Sequence, residues 1–306
     1  MPVCAVVVAY YPSDSVCDNL RAVVREFGRV LVVDNGSGPE TTRMMGAVAG
    51  VELLALGENL GVAAALNRGA EWALRNGYSW MVTFDQDSLP APGFGNGLWA
   101  SHLRHPKAAV VGACIVEGGA TARNYLWVCQ HPQWPGLFRR VACERSDLST
   151  VTMTITSGSM TNLSVWKELD GFSEDLFIDY VDIDYCLKVV RAQRTIAISA
   201  TARLEHKLGA RQTGRMLGKD LRPMHHAAFR HYYMARNRVI VWRRHALAVP
   251  HWALFDLAFA GYNCFRVLAF EKGKWIKFKA LVFGTWDGLC GGSGPCPGNR
   301  LSMLES

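Results

Sequence analysis

Five short runs of this sequence are almost wholly apolar and do not alternate: VCAVVVA (3–9), VLVVD (30–34), VELLAL (51–56), WMVTF (80–84) and AAVVGA (108–113). A strand with one wet face alternates polar and apolar side chains. Runs without alternation fit strands covered on both faces, as in a parallel sheet. Helix-length segments lie between them. Val16, Leu20, Val23, Val24 and Phe27 form one apolar helical face, with Ser13 or Asp14 as its cap and Gly28 as its stop. A second helix is expected from about Gly61 to Asn76, ended by Gly77. Strands alternating with helices predict an α/β fold: a Rossmann-like, mostly parallel central sheet flanked by helices.

Beyond residue 114 the pattern loosens. NYLWVCQHP (124–132) and VTMTITSG (151–158) read as strands of a mixed region, and a helix is expected from Val181 to Gln193. From His225 the reading is a helical extension. HHAAFRHYYMARNRVIVWRRHA is basic, amphipathic and rich in aromatics. Residues 249–270 are more apolar and about long enough to span a bilayer. His251, Asp256, Asn263 and Arg266 interrupt them, so a helix packed on a partner or lying in a membrane interface is expected. The Gly/Pro-rich tail, 289–306, is expected to be disordered.

Half of the 306 residues are hydrophobic, which excludes a disordered chain. The net charge is +7, and from Lys188 to Lys279 about 19 Lys and Arg face about 4 Asp and Glu. Such a balance implies an anionic partner: nucleic acid, a membrane surface or a phosphate-bearing ligand. Nine cysteines, an odd number without a CxxC pair, read as reduced and mostly buried thiols of a cytoplasmic protein. The N-terminus lacks the basic region of a signal peptide.

Several polar clusters fall where apolar runs end. Asp85 and Asp87 follow WMVTF, and two carboxylates on the same side repel unless a cation sits between them and an anionic ligand. A solvated turn before Pro90 is the bland alternative. Asp34 ends the second run and could accept the imide N–H of a pyrimidine base; taken alone, an N-cap or turn before the helix near Pro39 is the plainer explanation. Asn59 and Gly61 open a helix of small residues, which lets a ligand or a strand approach closely. Asp179, Asp182 and Asp184 crowd the start of a helix. Capping and the helix dipole use one or two of them, and a third could act as a general base on a hydroxyl. His206, after a strand-like segment, could ligate a divalent metal or be structural.

In order along the chain stand VVVAYYP, VVDNGS, ENLGVAAALNRG, FDQDS, TSGSM, GFSEDLFIDYVDIDYCLK and YYMARNRV. With these marks the chain resembles the family 2 inverting glycosyltransferases of GT-A fold over about residues 3–245, and within them the rhamnosyltransferase branch of bacterial surface polysaccharide synthesis. The resemblance implies Tyr10, Asp34, Asn59, Gly61 and Asp85 on the donor side. It implies Mn2+ or Mg2+ held by Asp87 with Asp85 and His206, and Asp182 as the base on the acceptor hydroxyl. Val181 stands where the family commonly has Glu, so Asp179 or Asp184 could substitute as base. With Gly158 and Ser159 they are acceptor-side candidates.

The donor implied is dTDP-L-rhamnose, and the acceptor a glycan or a polyprenyl-diphosphate-linked glycan. The expected location is cytoplasmic, peripheral at the inner face of the inner membrane. Tyr232, Tyr233, Trp242, Arg243 and Arg244 would sit near headgroups; the alternative use of the C-terminal helices is a cap or a homodimer contact. Residues 1–222 would form the catalytic domain, with a nucleotide-sugar half to 114 and an acceptor half from 115. Residues 223–288 would form the helical region. Rival readings are a galactofuranosyl- or other hexosyltransferase using a UDP-sugar, a nucleotidylyltransferase, and a basic nucleic-acid-binding protein. The second lacks a Gly-rich phosphate loop after the first strand, and the third gives no reason for DQD or DYVDID, so no nucleic acid is expected.

Overall fold

The computed structural model describes residues 2–116, 125–129, 138–143, 146–149, 151–206, 214–216, 219–221 and 227–305. They divide into two compact units. The first runs to Glu174 and resumes at Val181–His206; the second takes Asp175–Tyr180 and the C-terminal helices.

The first unit begins β1 (Val3–Ala9), α1 (Val16–Phe27), β2 (Val30–Asp34), α2 (Pro39–Gly46), β3 (Val51–Ala55), α3 (Val62–Arg75), β4 (Trp80–Asp85) and β5 (Ser88–Pro90). It continues α4 (Phe94–Arg104), β6 (Ala108–Val116), β7 (Tyr125–Cys129), β8 (Phe138–Ala142), β9 (Ser159–Asn162), α5 (Leu163–Glu168), α6 (Val181–Arg191) and β10 (Thr195–His206). Eight strands form one sheet in the order β3-β2-β1-β4-β9-β6-β10-β5. β9 and β5 run against the other six.

The non-alternating runs sit where their composition requires. β1, β2 and β4 are buried along nearly their whole length, with helices supplying the apolar cover. β3 is the exception. It pairs only with β2, at the sheet edge, and is half exposed. α1 buries Val16, Leu20 and Val23 as expected, but neither Ser13 nor Asp14 caps it. Ser15 holds that place without a side-chain bond. VTMTITSG is not a strand: the ladder starts at Ser159, after Gly158 turns the chain at φ +78°. The reading of all cysteines as reduced is also corrected. The end of β6 brings Cys114 to 5.6 Å (Cα–Cα) from Cys143, and the two are disulfide-bonded. Cys4 and Cys186 are free, and burial pushes both thiols up to about 12.

The second unit holds β11 (Gly214–Met216), β12 (Lys219–Leu221), α7 (Ala228–His245), α8 (Pro250–Phe270), α9 (Lys274–Leu289) and α10 (Gly298–Glu305). α7 is its central helix. Gly284 and Gly288, one turn apart on α9, let the helices touch: a Cβ at Gly288 would stand 2.7 Å from the Arg236 carbonyl oxygen. The tail expected to be disordered instead carries α10, with Cys296 and Leu304 buried in the cluster that contains Tyr232 and Tyr233.

The α7 residues expected near headgroups make contacts within this unit. Tyr232 and Tyr233 are buried, and Trp242 donates to Asp256 Oδ2 at 2.8 Å. Arg243 donates to the carbonyls of Gly288 and Leu289, and Arg244 to Asp175 Oδ2 at 2.6 Å. Charge that looked like an interaction face in the sequence ties this unit together.

Candidate active site at the carboxyl ends of the parallel strands

β1 pairs Ala9 with Asp34 on one side and Val8 with Asp85 on the other. Two expected donor-side carboxylates therefore stand at the same end of the sheet, two strand spacings apart, roughly 10 Å. Open α/β sheets bind ligands at this end.

Hydrogen bonds weld the loops above these strands into one platform. Both oxygens of the buried Asp34 carboxylate accept the Ser37 N–H, at 3.2 and 3.1 Å, so the turn expected as the alternative for Asp34 is present. Ser37 Oγ accepts the Tyr11 N–H at 2.9 Å, and Gln86 Oε1 accepts the Tyr10 N–H at 2.7 Å. Gln86 is the middle residue of DQD, and its carbonyl also takes Asn19 Nδ2 at 3.0 Å. Tyr10 itself is half exposed, its ring edge-on to Tyr11 with centroids 4.8 Å apart.

The loop after β3 joins through two asparagines. Asn35 Nδ2 donates to Asn59 Oδ1 at 3.0 Å, and Asn35 Oδ1 accepts the Leu60 N–H at 2.9 Å. Asn59 Oδ1 also accepts the Gly61 N–H at 3.0 Å. Gly36, at φ +94°, permits this closeness, because a Cβ there would lie 2.7 Å from the Glu58 carbonyl carbon. Tyr10, Asp34, Asn59, Gly61 and Asp85 are thus brought onto one bonded platform, with the Asn59 carboxamide engaged by protein partners.

Asp85 ends β4 and Asp87 is the second residue of the two-residue turn that leads into β5; both are half-buried. The Asp85 N–H donates to Ser157 Oγ at 3.1 Å, and that hydroxyl lies 2.6 Å from Ser88 Oγ. The ladder between β5 and β10 pairs His206 with Ser88, the residue after Asp87. Its backbone therefore runs beside the carboxylate turn. Gly158 donates its N–H to the Thr83 carbonyl at 2.7 Å, and the buried Ser159 hydroxyl donates to the Ile155 carbonyl at 2.5 Å. These two acceptor-side candidates brace the strand that carries Asp85.

The three aspartates around α6 separate. Asp179 belongs to the second unit, at φ +62°, where Arg230 Nη2 reaches its Oδ1 at 2.5 Å. It is not the cap of α6. Asp184 is completely buried and accepts from Ser173 Oγ at 2.6 Å, with Lys188 Nζ 3.8 Å away. Asp182, in the first turn and partly exposed, takes the Ile183 N–H on Oδ1 at 2.8 Å. One turn on, Cys186 accepts the Thr154 N–H at 3.5 Å, anchoring α6 to the segment that leads into Gly158 and Ser159.

Ser157, Gln86, Asn35 and Ser37 stand inside TSGSM, FDQDS and VVDNGS without an expected role of their own, and the tertiary pairing reveals what each holds.

The chain is similar to known proteins in sequence and in fold. Residues 4–169 match the family model for glycosyl transferase family 2. The dTDP-rhamnosyl transferase RfbF of Shigella flexneri is 26% identical over 295 residues, covering 95% of this chain and 96% of that one. The solved structure of S. aureus TarS 1–349 in complex with UDP-GlcNAc superposes with a TM-score of 0.60 at 13% identity, over 99% of this chain and 84% of that one. GalNAc-T7, solved with UDP, GalNAc and Mn2+, gives 0.56 at 14% identity over 79% of this chain, which spans 47% of the GalNAc-T7 chain. These likenesses bear out the GT-A fold. The family match runs from β1 through α5 and takes in Asp34, Asn59, Asp85 and Asp87; the chain belongs to glycosyl transferase family 2 and is a glycosyltransferase.

Proposed function

We propose that the chain transfers L-rhamnose from dTDP-L-rhamnose to a hydroxyl of a glycan or polyprenyl-diphosphate-linked glycan, with inversion at the anomeric carbon. The observation that carries the reaction class is the bonded platform at the ends of β1, β2 and β4, which sets Asp34 and Asp85 at the same end of the sheet, two strands apart. Support for the sugar is the end-to-end likeness to the dTDP-rhamnosyl transferase.

Asp85 and Asp87 are hard oxygen donors suited to Mg2+ or Mn2+. Among the described residues no three His, Cys, Asp or Glu side chains gather as a metal cage. Asp85 and Asp87 would hold such a cation, with His206 as the further candidate ligand. When bound, the cation supplies positive charge to the departing diphosphate.

The remaining roles fall to the chain. Asp34 and the Asn35–Asn59 pair shape the nucleoside end of the platform. Asp182, its carboxylate oriented by the Ile183 N–H, takes the acceptor's hydroxyl proton. The acceptor oxygen then attacks opposite the leaving group, and a single base suffices because no glycosyl-enzyme ester forms. The first unit is read as the catalytic domain.

Thermal unfolding with dTDP-rhamnose, UDP-galactofuranose, UDP-glucose and GDP-mannose, each with and without Mn2+, tests this reading. Stabilisation by dTDP-rhamnose alone, and only with metal, is expected. A response to a UDP-sugar instead would move the donor to the rival hexosyltransferase. Silence to every donor would remove the assignment.

A further inference from the structure

α8 is built inside out. Its polar side chains point into the second unit: His251, Asp256 and Arg266 are all buried. Asp256 receives Tyr180 Oη at 2.7 Å, Arg238 Nε at 3.0 Å and Trp242 Nε1 at 2.8 Å. At the end of the helix the buried Glu271 binds Lys277 Nζ at 2.6 Å, with Arg266 Nε 4.0 Å away. The outer face is apolar. Leu254, Leu257, Tyr262, Phe265 and Leu268 recur at helical spacing, and Leu257 and Phe265 are 58% and 57% exposed. A helix facing water shows the opposite arrangement, whereas polar groups turned inward under an apolar exterior suit a helix facing lipid.

The charges beside this face have one sign. From Pro250 to Lys279 the exposed charged side chains are Lys272, Lys274 and Lys279; Asp256 and Glu271 are buried. Trp275, between two of the lysines, is 69% exposed. An apolar stripe that ends in lysines and an outward tryptophan matches the depth profile of a bilayer: acyl chains, then the interface, then anionic headgroups. α8 is the one helix among the described residues long and apolar enough to cross a bilayer, 21 residues or about 31 Å. Its inner face is held by α7, so it has one face to offer rather than a whole circumference.

We propose that the outer face of α8, with Lys272, Lys274 and Trp275, docks the protein onto an anionic lipid bilayer, lying in the interface without spanning it. The proposal rests on the polarity of this helix and on no assumption about donor or acceptor.

The test is flotation of the full chain with phosphatidylcholine vesicles with and without phosphatidylglycerol. Binding is expected to the anionic vesicles and to weaken at high salt. The double variant Leu257→Glu/Phe265→Glu should lose it at least tenfold with an unchanged melting temperature, because both side chains are exposed. Lys272→Glu/Lys274→Glu should remove the preference for phosphatidylglycerol. Brominated lipid should quench tryptophan fluorescence in the native chain and much less in Trp275→Phe, a readout that needs no destabilising change. No flotation at low salt would overturn the proposal, as would flotation that survives Leu257→Glu/Phe265→Glu. A dimer in vesicle-free solution that this variant dissociates would overturn it too, by showing that a second copy covers the face.

Discussion

The Asp184 carboxylate, with no exposed surface, accepts a 2.6 Å hydrogen bond from the Ser173 hydroxyl. Asp182, two residues earlier on the same helix, stays partly exposed. One carboxylate is committed to packing and the other remains reachable, so the two should fail differently when altered. Asp182→Asn should lower turnover by roughly 10²–10⁴-fold, the scale of one general base, with donor-induced stabilisation retained. Asp184→Ala should instead cost about 1–3 kcal/mol of stability by orphaning its partners. Single-turnover assays beside melting curves separate the two, and an Asp182 variant that keeps its turnover would move the base elsewhere.

Gly36 and Gly38 share φ +94°, but only Gly36 meets backbone, that of Glu58. Alanine at either position pays the conformational strain, about 1–3 kcal/mol. Gly36→Ala must additionally push the DNGS loop off the ENLG loop and break the Asn35–Asn59 contact. Nucleotide affinity should therefore fall in Gly36→Ala and hold in Gly38→Ala. Equal affinity in both, by calorimetric titration, would show that the loop–loop contact does not shape the nucleotide end.

Much of the first unit was legible because its strands are covered on both faces, and that covering writes itself into VCAVVVA and VLVVD as runs without alternation. β3 shows the limit: its composition matches its neighbours, yet its edge position depends on sheet order, which periodicity does not encode. The second unit misled for a physical reason. Arg236, Arg243 and Arg244 look like a charged face along the chain, but their partners are carbonyls of Leu176, Gly288 and Gly294 and the carboxylate of Asp175, remote in sequence. Among the candidate site residues the strand-end carboxylates were readable as abrupt ends of apolar runs. Ser157 and Gln86 were not, because each acts through a backbone N–H about 70 residues away.

Gln86 lies between the two carboxylates of DQD, yet its side chain serves the loop after β1. Gln86→Ala deletes the acceptor for the Tyr10 N–H. A single hydrogen bond of this kind is worth about 0.5–1.5 kcal/mol, so KM for the donor should rise roughly two- to tenfold. With Asp85 and Asp87 in place, kcat should change little. A fall in kcat with constant KM would mean that Gln86 acts on the reacting end rather than on the loop.

His102, on α4, packs against Trp80 and Trp99 with ring centroids 4.5 and 5.2 Å away, and its Nδ1 is buried without a hydrogen-bond partner. Burial lowers its pKa below the ordinary 6.5, because a charged imidazolium there would lose its hydration. In the unfolded chain the same histidine protonates normally. Above about pH 6.5 both states are neutral and the histidine contributes no pH dependence. Below that the unfolded state binds the extra proton, so stability falls as pH falls toward the lowered folded value. His102→Phe keeps the aromatic packing and removes the proton site. Its melting temperature should therefore decline less than the native protein's between about pH 7 and pH 5. Parallel curves for the two proteins would assign the acid sensitivity to other groups.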